Sequence, residues 1–535
     1  MEKFKKIFEE YEKGTAFKAS LWKKGLYEQS RTNERFFIGD QWYGAKCGNE
    51  RPLVRHNIIR RIGDYKISTL LSSQLNVTYT AAGASFTEGQ RRQIKAVRRD
   101  FARGKISDPA ALGREQEISL ITDALSIHAK TVAGRVGFAA VAEQALRNAY
   151  ISGTGIIYTY WDSQADTGLY TAKGSMPVKG ELACRCLRVE NVCFGDPFTD
   201  SVEAQPYIII SSKMSVEEAV FRAANFGAGE FILSRIRESA RKGKVAVLTK
   251  LYKKRTSNGV RIMAVQVCEN ATIRDEWDTG LHRYPIAKFS WDRRGDLVYG
   301  ESEITYLIPN QIAINRMITA NVWSGMAMGM PIMVVNGDTV PGQITNDPGQ
   351  VIRIYGSNED VAGAVRYVSP PDFADKFQGS VDALIKNTLN QSGANEAALG
   401  DMEAHNATAI QRLNTAAVQP MEIMRQRYSV FLEELALIWA DFWLTRYGNR
   451  GLCIEDENGI WYMPFSASRY KDIALFARVT QDKEENAEKR VEVLNRLFEK
   501  GEISARVYVE NLPEKVIGDK RELLHSLKEE QNEGN

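Results

Sequence analysis

The sequence has none of the short motifs on which most enzyme chemistry is built. There is no Gly-x4-Gly-Lys-Ser/Thr: Gly104-Lys105 runs on to Ile106 and Gly243-Lys244 to Val245, so neither forms a phosphate loop. Histidine is scarce. His56, His128, His282, His405 and His525 are scattered, none opens a His-Glu-x-x-His pair, and no shared metal site follows from their spacing. No Gly-x-Ser-x-Gly nucleophile elbow is present. Gly153-Thr154-Gly155 lacks the third glycine of a dinucleotide loop and reads as a tight turn from a helix into a strand.

Cysteine is sparse too. Cys184-x-Cys186 followed by Cys193 is not a zinc spacing, and with Cys47, Cys268 and Cys453 it suits buried thiols in a reducing compartment. A large excess of either charge is missing: 70 basic and 67 acidic residues leave a formal +3. A protein that grips nucleic acid tightly is usually more basic. The balance leaves room for a surface that DNA slides past. The segment MEKFKKIFEEYEKG has no apolar core of the kind a signal peptide needs. One uncharged run stands out, residues 317 to 337 between Arg316 and Asp338. It holds Thr319, Asn321, Ser324, Gly325, Gly329 and Pro331, so it reads as a buried helix running into a strand and not as a membrane span.

What is present is length and pattern. A chain of 535 residues, 44% hydrophobic and 26% charged, exceeds one simple domain. Its most informative stretch runs from Tyr299 to Tyr447. Ser302 is a candidate N-cap, with Glu301 and Glu303 suited to a helix start. Ile304, Leu307, Ile308, Ile312 and Ile318 then recur at helical spacing, with Gln311 and Asn315 set into the stripe. Pro309 is expected to start or kink this helix. Pro331 ends it. Ile332 to Val335 and Val351 to Tyr355 read as strands among the turns Asn336-Gly337, Pro341-Gly342 and Asp347-Pro348-Gly349, and Pro370-Pro371 closes the insert. Phe373, Phe377, Val381, Leu384, Ile385 and Leu389 mark a second helix. Gln391 to Asn406 has no period and reads as a loop. A long helix follows through Ile410, Leu413, Met421, Tyr428, Leu435 and Phe442, with a kink expected at Pro420 and a stop at Gly448-Asn449.

Elsewhere the reading is mixed. Lys3 to Tyr11 forms a short helix, and a second starts at Phe17 and breaks at Gly39. Arg55 to Leu75 is helical and carries, with Arg51, a basic cluster that includes Arg60 and Arg61. Arg91 to Lys105 is basic and helical, and Leu120 to Tyr150 reads as one helix. Strands follow at Ile156 to Trp161, Leu169 to Thr171, Leu182 to Val189 and Tyr207 to Ser211, then short helices at Val216 to Ala224 and Phe231 to Ile236. Ser257-Asn258-Gly259 and Glu457-Asn458-Gly459 each join two strand patterns as hairpins. Asp196 and Asp200 share a turn with room for a cation or for two solvated acids. Ala487 to Phe498 is a charged helix, with Ser504 capping the next. The class is α+β.

This order of elements resembles the portal protein of tailed bacteriophages, the ring at one capsid vertex, and most of all the portals of short-tailed phages. The residues that carry the resemblance are Tyr299-Gly300-Glu301-Ser302 leading to Gln311 and Asn315, Asn406-Ala407-Thr408-Ala409-Ile410, the run NERFFIGDQW from Asn33 to Trp42, and GEISARVYVENLP from Gly501 to Pro513. Residues 82 to 130 have no counterpart in it. The resemblance implies a mixed α/β wing in 1–298, a stem helix in 299–329, a strand-rich clip in 330–372, a second stem helix in 373–390 and a tunnel loop in 391–406. It further implies a long kinked tunnel helix in 407–447, a wing return in 448–482 and a short helical crown in 483–535.

The implied role is a ring of about twelve copies through which double-stranded DNA passes without sequence specificity. Its partners would be terminase, tail adaptors, coat and scaffolding proteins, in the virion and, during assembly, in the host cytoplasm. Met402, Glu403, His405 and Asn406 would line the channel, flanked by Lys376, Lys386 and Arg412. Ile332, Val334, Val351, Ile352, Ile354 and Tyr355 would form the clip's partner surface. No catalytic residue, metal, cofactor or membrane contact is expected. Two other readings stay open: a metal-dependent nuclease built on Asp196, Asp200 and other acids, and a membrane-associated oligomer using residues 317 to 337.

Overall fold

Helices and antiparallel sheets alternate along the described residues, as the α+β reading expects. The computed structural model describes residues 2–42, 53–72, 77–81, 96–98, 100, 109, 112–170, 177–257, 259–328, 332–336, 365–368, 374–394, 419–456, 459–470, 473–479, 484–512 and 523.

The chain opens with helices α1 (Glu2–Ser20), α2 (Leu26–Ile38) and α3 (Ile58–Leu71) and strand β1 (Val77–Ala81). Helices α4 (Arg114–Arg135) and α5 (Phe138–Ser152) lead to β2 (Thr154–Tyr170), β3 (Pro177–Leu187), β4 (Val192–Phe194) and β5 (Tyr207–Ser215). A helical hairpin, α6 (Val216–Asn225) and α7 (Glu230–Glu238), precedes β6 (Lys244–Thr256), β7 (Gly259–Cys268), β8 (Ala271–Asp278) and β9 (Ile286–Ser290). Then come α8 (Ile304–Met328), β10 (Ile332–Val335), β11 (Val365–Val368), α9 (Ala374–Ser392) and α10 (Glu422–Arg446). The last elements are β12 (Asn449–Asp456), β13 (Gly459–Ser466), α11 (Ala467–Tyr470), β14 (Leu475–Val479), α12 (Glu484–Glu499) and α13 (Ala505–Asn511).

Two compact units result. The first is Met1–Ser30, Ile67–Ser302 and Glu422–Asn535; the second is Arg31–Lys66 and Glu303–Met421.

The first unit holds a five-stranded antiparallel sheet in the order β4-β5-β6-β7-β8. Alternate side chains of a strand face opposite sides. Val245, Val247 and Cys268 therefore meet Ala219, Ala223, Leu233 and Ile236 of the α6–α7 hairpin. Leu248, Val265 and Val267 meet Phe4 and Ile7 of α1 on the other face. The β6–β7 turn is the expected hairpin: Thr256 pairs with Gly259, whose φ of +102° suits glycine. A second sheet, β3-β2-β9, packs with aromatic side chains of α10. Within that core Trp439 meets Phe138, and Trp443 meets Tyr79 and Tyr447.

Several boundaries differ from the sequence reading, each for a local reason. Helix α1 is continuous through Gly14; a Cβ there would lie 2.9 Å from Cys193 Cβ, so glycine lets the helix lie against β4. The break comes instead at Trp22 to Gly25, both at positive φ. The single helix expected from Leu120 to Tyr150 is two, parted at Gly137 with φ +64°. Strand β2 absorbs two expected strands. Pro420 lies in a 3-10 turn, Gln419–Met421, ahead of α10; the expected helical stretch before it lies outside the described residues. Similarly Pro309 sits inside α8, which starts at Ile304. The Ser302 hydroxyl donates to the Tyr150 carbonyl at 2.6 Å, which leaves its lone pairs for the expected cap. The stop at Gly448 (φ +61°) and the cap of α13 by Ser504 are as expected.

Glu117 joins distant parts of this unit. It is buried, and accepts from Arg469 Nε at 2.5 Å, the Tyr470 hydroxyl at 2.9 Å and Arg114 Nη1 at 3.1 Å. Burial pushes its carboxyl up, but the hydrogen bonds from Arg469, Tyr470 and Arg114 outweigh this and hold it below the usual glutamate value. A depressed carboxyl contributes stability above its unfolded pKa of about 4.3 and loses it as pH falls through the folded value. Glu117→Gln is therefore expected to cost about 2 kcal/mol at neutral pH, discounted for the half-exposed arginines. Midpoint-versus-pH curves of the two proteins should converge on the acid side; parallel curves would contradict the assignment.

Candidate functional site

The second unit is organised by α8. Its 25 residues carry a single charge, Arg316. Gln311, Asn315 and Thr319 stand four residues apart, in a row along one face. Four helical residues rise about 6 Å and two extended residues about 6.6 Å, so the row matches every second residue of an extended chain. The segment before α3 uses this match. Val54 N–H donates to Thr319 Oγ1 at 3.1 Å, His56 N–H to Asn315 Oδ1 at 3.0 Å and Ile58 N–H to Gln311 Oε1 at 3.0 Å. Gln311 Nε2 returns a bond to the His56 carbonyl at 2.6 Å and a second to Asn315 Oδ1 at 3.0 Å. Gln311 and Asn315 are both buried.

The Asn33-to-Trp42 run completes this lattice. Asn315 Nδ2 donates to Gln41 Oε1 at 2.6 Å, and Gln41 Nε2 donates to the Phe36 carbonyl. Trp42 Nε1 donates to the Val54 carbonyl at 3.0 Å, and Asn57 Nδ2 to the Phe37 carbonyl at 3.0 Å. Asn57 Oδ1 also caps α3 by accepting from Arg60 N–H. Lys66 meets Glu303 at 2.6 Å. The basic cluster read from sequence is partly spent here, since Arg60 pairs with Asp64.

Helices α8 and α9 run antiparallel: Asn310 meets Thr388 at 3.2 Å and, further along α8, Asn321 meets Gln378 earlier in α9. Between them in the chain β10 and β11 pair antiparallel, Ile332 opposite Val368 and Val335 opposite Val365. The unit thus contains a helix pair joined through a strand pair. Tyr306, Val322 and Met326 of α8 are exposed at 58%, 39% and 61%.

Of the expected site residues, Ile332 and Val334 lie in β10, and Lys376 and Lys386 in α9, with Lys386 exposed. Val351, Ile352, Ile354, Tyr355, Met402, Glu403, His405, Asn406 and Arg412 lie outside the described residues. The strand that pairs with β10 is β11, a run absent from the sequence reading. Its signal is there: Val365-Arg366-Tyr367-Val368 is β-branched and aromatic, just ahead of Pro370-Pro371.

The acids of the nuclease reading have partners among the described residues. Asp196 accepts from the N–H of Phe198 at 3.0 Å and the hydroxyl of Thr199 at 2.6 Å, closing its own turn. Asp200 is bonded to the buried Lys288 and lies 3.7 Å from Arg293. Among the described residues no three His, Cys, Asp or Glu side chains are grouped to hold a metal ion. Burial pushes the Cys184 and Cys186 thiols up to about 11, and both are free. No helix among the described residues is long and apolar enough to cross a membrane.

No known family matches the sequence, and no curated protein matches it. Among solved structures, a chain from the virion of a native gene transfer agent particle aligns at 10% identity over 94% of this chain and 99% of its own, with a TM-score of 0.38. A chain from the neck of an empty particle of that kind, computed with C6 symmetry, aligns at 11% identity over 85% and 90%, with a TM-score of 0.35. A likeness of that size fixes neither fold nor role.

Proposed function

We propose that this chain is the subunit of a portal-type ring, a conduit for double-stranded DNA at one vertex of a phage-like capsid. The observation that carries the reading is the second unit itself. An antiparallel helix pair with a strand pair between its helices in the chain supports the reading of this unit as a stem and a clip. Its leading helix has one charge in 25 residues and exposes Tyr306, Val322 and Met326. Large apolar side chains set in an almost uncharged helix call for cover. A head-to-tail contact between copies, closed by rotation, supplies that cover to every subunit equally.

In this reading the segment 391–406 lines the channel, with Lys376, Lys386 and Arg412 at its flanks and Met402, Glu403, His405 and Asn406 at its narrowest part. A ring of many cationic contacts would hold DNA by its phosphates and slow it. Gln391 to Asn406 contains neither lysine nor arginine, which suits passage. The clip, with Ile332, Val334, Val351, Ile352, Ile354 and Tyr355, meets the packaging terminase and later the tail adaptors. Coat and scaffolding proteins would surround the wing.

The test is the mass of detergent-free protein together with negative-stain images of the same sample. A ring of about twelve 60.1 kDa subunits with a central hole is expected. Val322→Asp with Met326→Asp is expected to give a folded subunit that no longer closes the ring. A monomer that cuts DNA when magnesium is added would overturn the proposal.

A further inference from the structure

The α6–α7 hairpin of the first unit exposes apolar side chains that the proposed function does not invoke. Ala219, Ala223, Leu233 and Ile236 face the sheet. Phe221 and Phe231 each stand two residues from an inward position, about 200° around the helix, and so point away from it. They are 66% and 71% exposed, and Phe226, after the last turn of α6, is 49% exposed. Three exposed phenylalanines thus stand on one short hairpin, and exposed large apolar side chains in such number mark an interaction site.

Two arginines on this patch lack a carboxylate. Arg222, Arg237 and Arg241 are paired with Glu218, Glu230 and Glu269. Arg235 and Arg274 have no acidic partner among the described residues. Instead Arg235 stacks over Phe231, 5.4 Å from its centroid. Arg274 lies over both Trp277 at 3.8 Å and Phe226 at 4.2 Å. A bulge in the edge strand β8 allows this. Ala264 is opposite Trp277 and Gln266 opposite Arg274, so three steps on β8 face two on β7 and both side chains reach the same ring stack. Stacking uses the face of a guanidinium and leaves its in-plane N–H donors for a carboxylate.

We propose that the α6–α7 hairpin and the bulged edge of β8 dock an acidic amphipathic segment of a second protein. Its apolar side chains cover Phe221, Phe226 and Phe231, and its carboxylates reach Arg235 and Arg274. Charge selects this occupant. A basic or neutral segment would bury two guanidiniums under apolar cover without a counter-charge, which is costly.

The test uses the full-length protein and a labelled synthetic helical peptide of Glu, Leu and Phe, read by fluorescence anisotropy. A peptide with Lys in place of every Glu is the control. The acidic peptide is expected to bind, and to weaken about ten-fold or more with salt, with Phe221→Ser/Phe231→Ser and with Arg235→Gln/Arg274→Gln. The highly exposed Phe231→Ser alone, with an unchanged thermal midpoint, guards against unfolding. Equal binding of both peptides, no binding of the acidic one, or variants that bind normally would overturn the proposal. So would a change in assembly mass on Phe231→Ser, since that would make the surface a contact between copies.

Discussion

Gly153→Ala is expected to cost about 3 kcal/mol or more, enough to leave the first unit unfolded at moderate temperature. Gly153 ends α5 at φ +85°, a conformation that alanine adopts only at a cost. The lack of space matters more. A Cβ there would lie 2.2 Å from the Gly300 carbonyl oxygen, and a Cβ on Gly300 would lie 2.4 Å from the Gly153 carbonyl oxygen. Both obstacles are backbone and cannot rotate away. The two strands of chain are also bonded around this point: Trp291 N–H donates to the Gly153 carbonyl at 2.9 Å, and Gly300 N–H to Thr154 Oγ1 at 2.9 Å. Gly137→Ala is the control. Gly137 has a similar φ of +64° but open space around its Cα, so only the conformational cost of about 1 kcal/mol should appear. Urea midpoints of the two variants separate steric clash from backbone strain. Equal losses would mean that the Gly153–Gly300 contact contributes nothing beyond φ.

That contact also shows what a sequence does and does not disclose. Gly153 is legible as a turn and Gly300 as part of a motif, because each is a local property. That one glycine exists for the other is not legible, since nothing in the intervening residues encodes the approach. The hairpins at Gly259 and Gly459 are fully legible for the opposite reason: turn chemistry and both strands lie within one short window. The length of helix α1 is hidden because the helical pattern read from the sequence stops at Tyr11 and resumes at Phe17, and the close approach of Gly14 to Cys193 of β4 joins residues far apart in the chain. In the candidate site the helix pair is legible from its apolar periodicity. The pairing of β10 with β11 is not, because a long insert separates them and many registers satisfy so short a strand. The acids Asp196 and Asp200 illustrate the limit of motif reasoning. Their spacing invites a cation, whereas the partners that satisfy them, Thr199 and Lys288, include one far along the chain.

Gln311→Leu is expected to release the extended segment before α3 while leaving α8 helical. Leucine keeps the volume and loses both polar ends. The His56 carbonyl and the Ile58 N–H then lose the partners that Gln311 supplies at 2.6 and 3.0 Å, and Asn315 loses a neighbour at 3.0 Å. The Ile58 N–H keeps its bond to the His56 carbonyl at 2.9 Å, so the cost is about 1–3 kcal/mol. The loss should be local, so hydrogen exchange reads it better than a global melt. Amides at His56 and Ile58 are expected to exchange about a hundred-fold faster, with those of the α8 interior little changed. Thr319→Val removes only the acceptor for Val54 N–H at the half-buried end of the row and should cost about 1 kcal/mol or less. The ordering matters more than either value. If the three rungs act as one ladder, the Gln311 substitution, which also removes a bond to the middle rung Asn315, frees all of them, whereas the Thr319 substitution frees Val54 alone. Unchanged protection at His56 in Gln311→Leu would mean that the segment is held by Trp42, Asn57 and apolar contact, and that the polar row in α8 has another purpose, such as facing a neighbouring subunit.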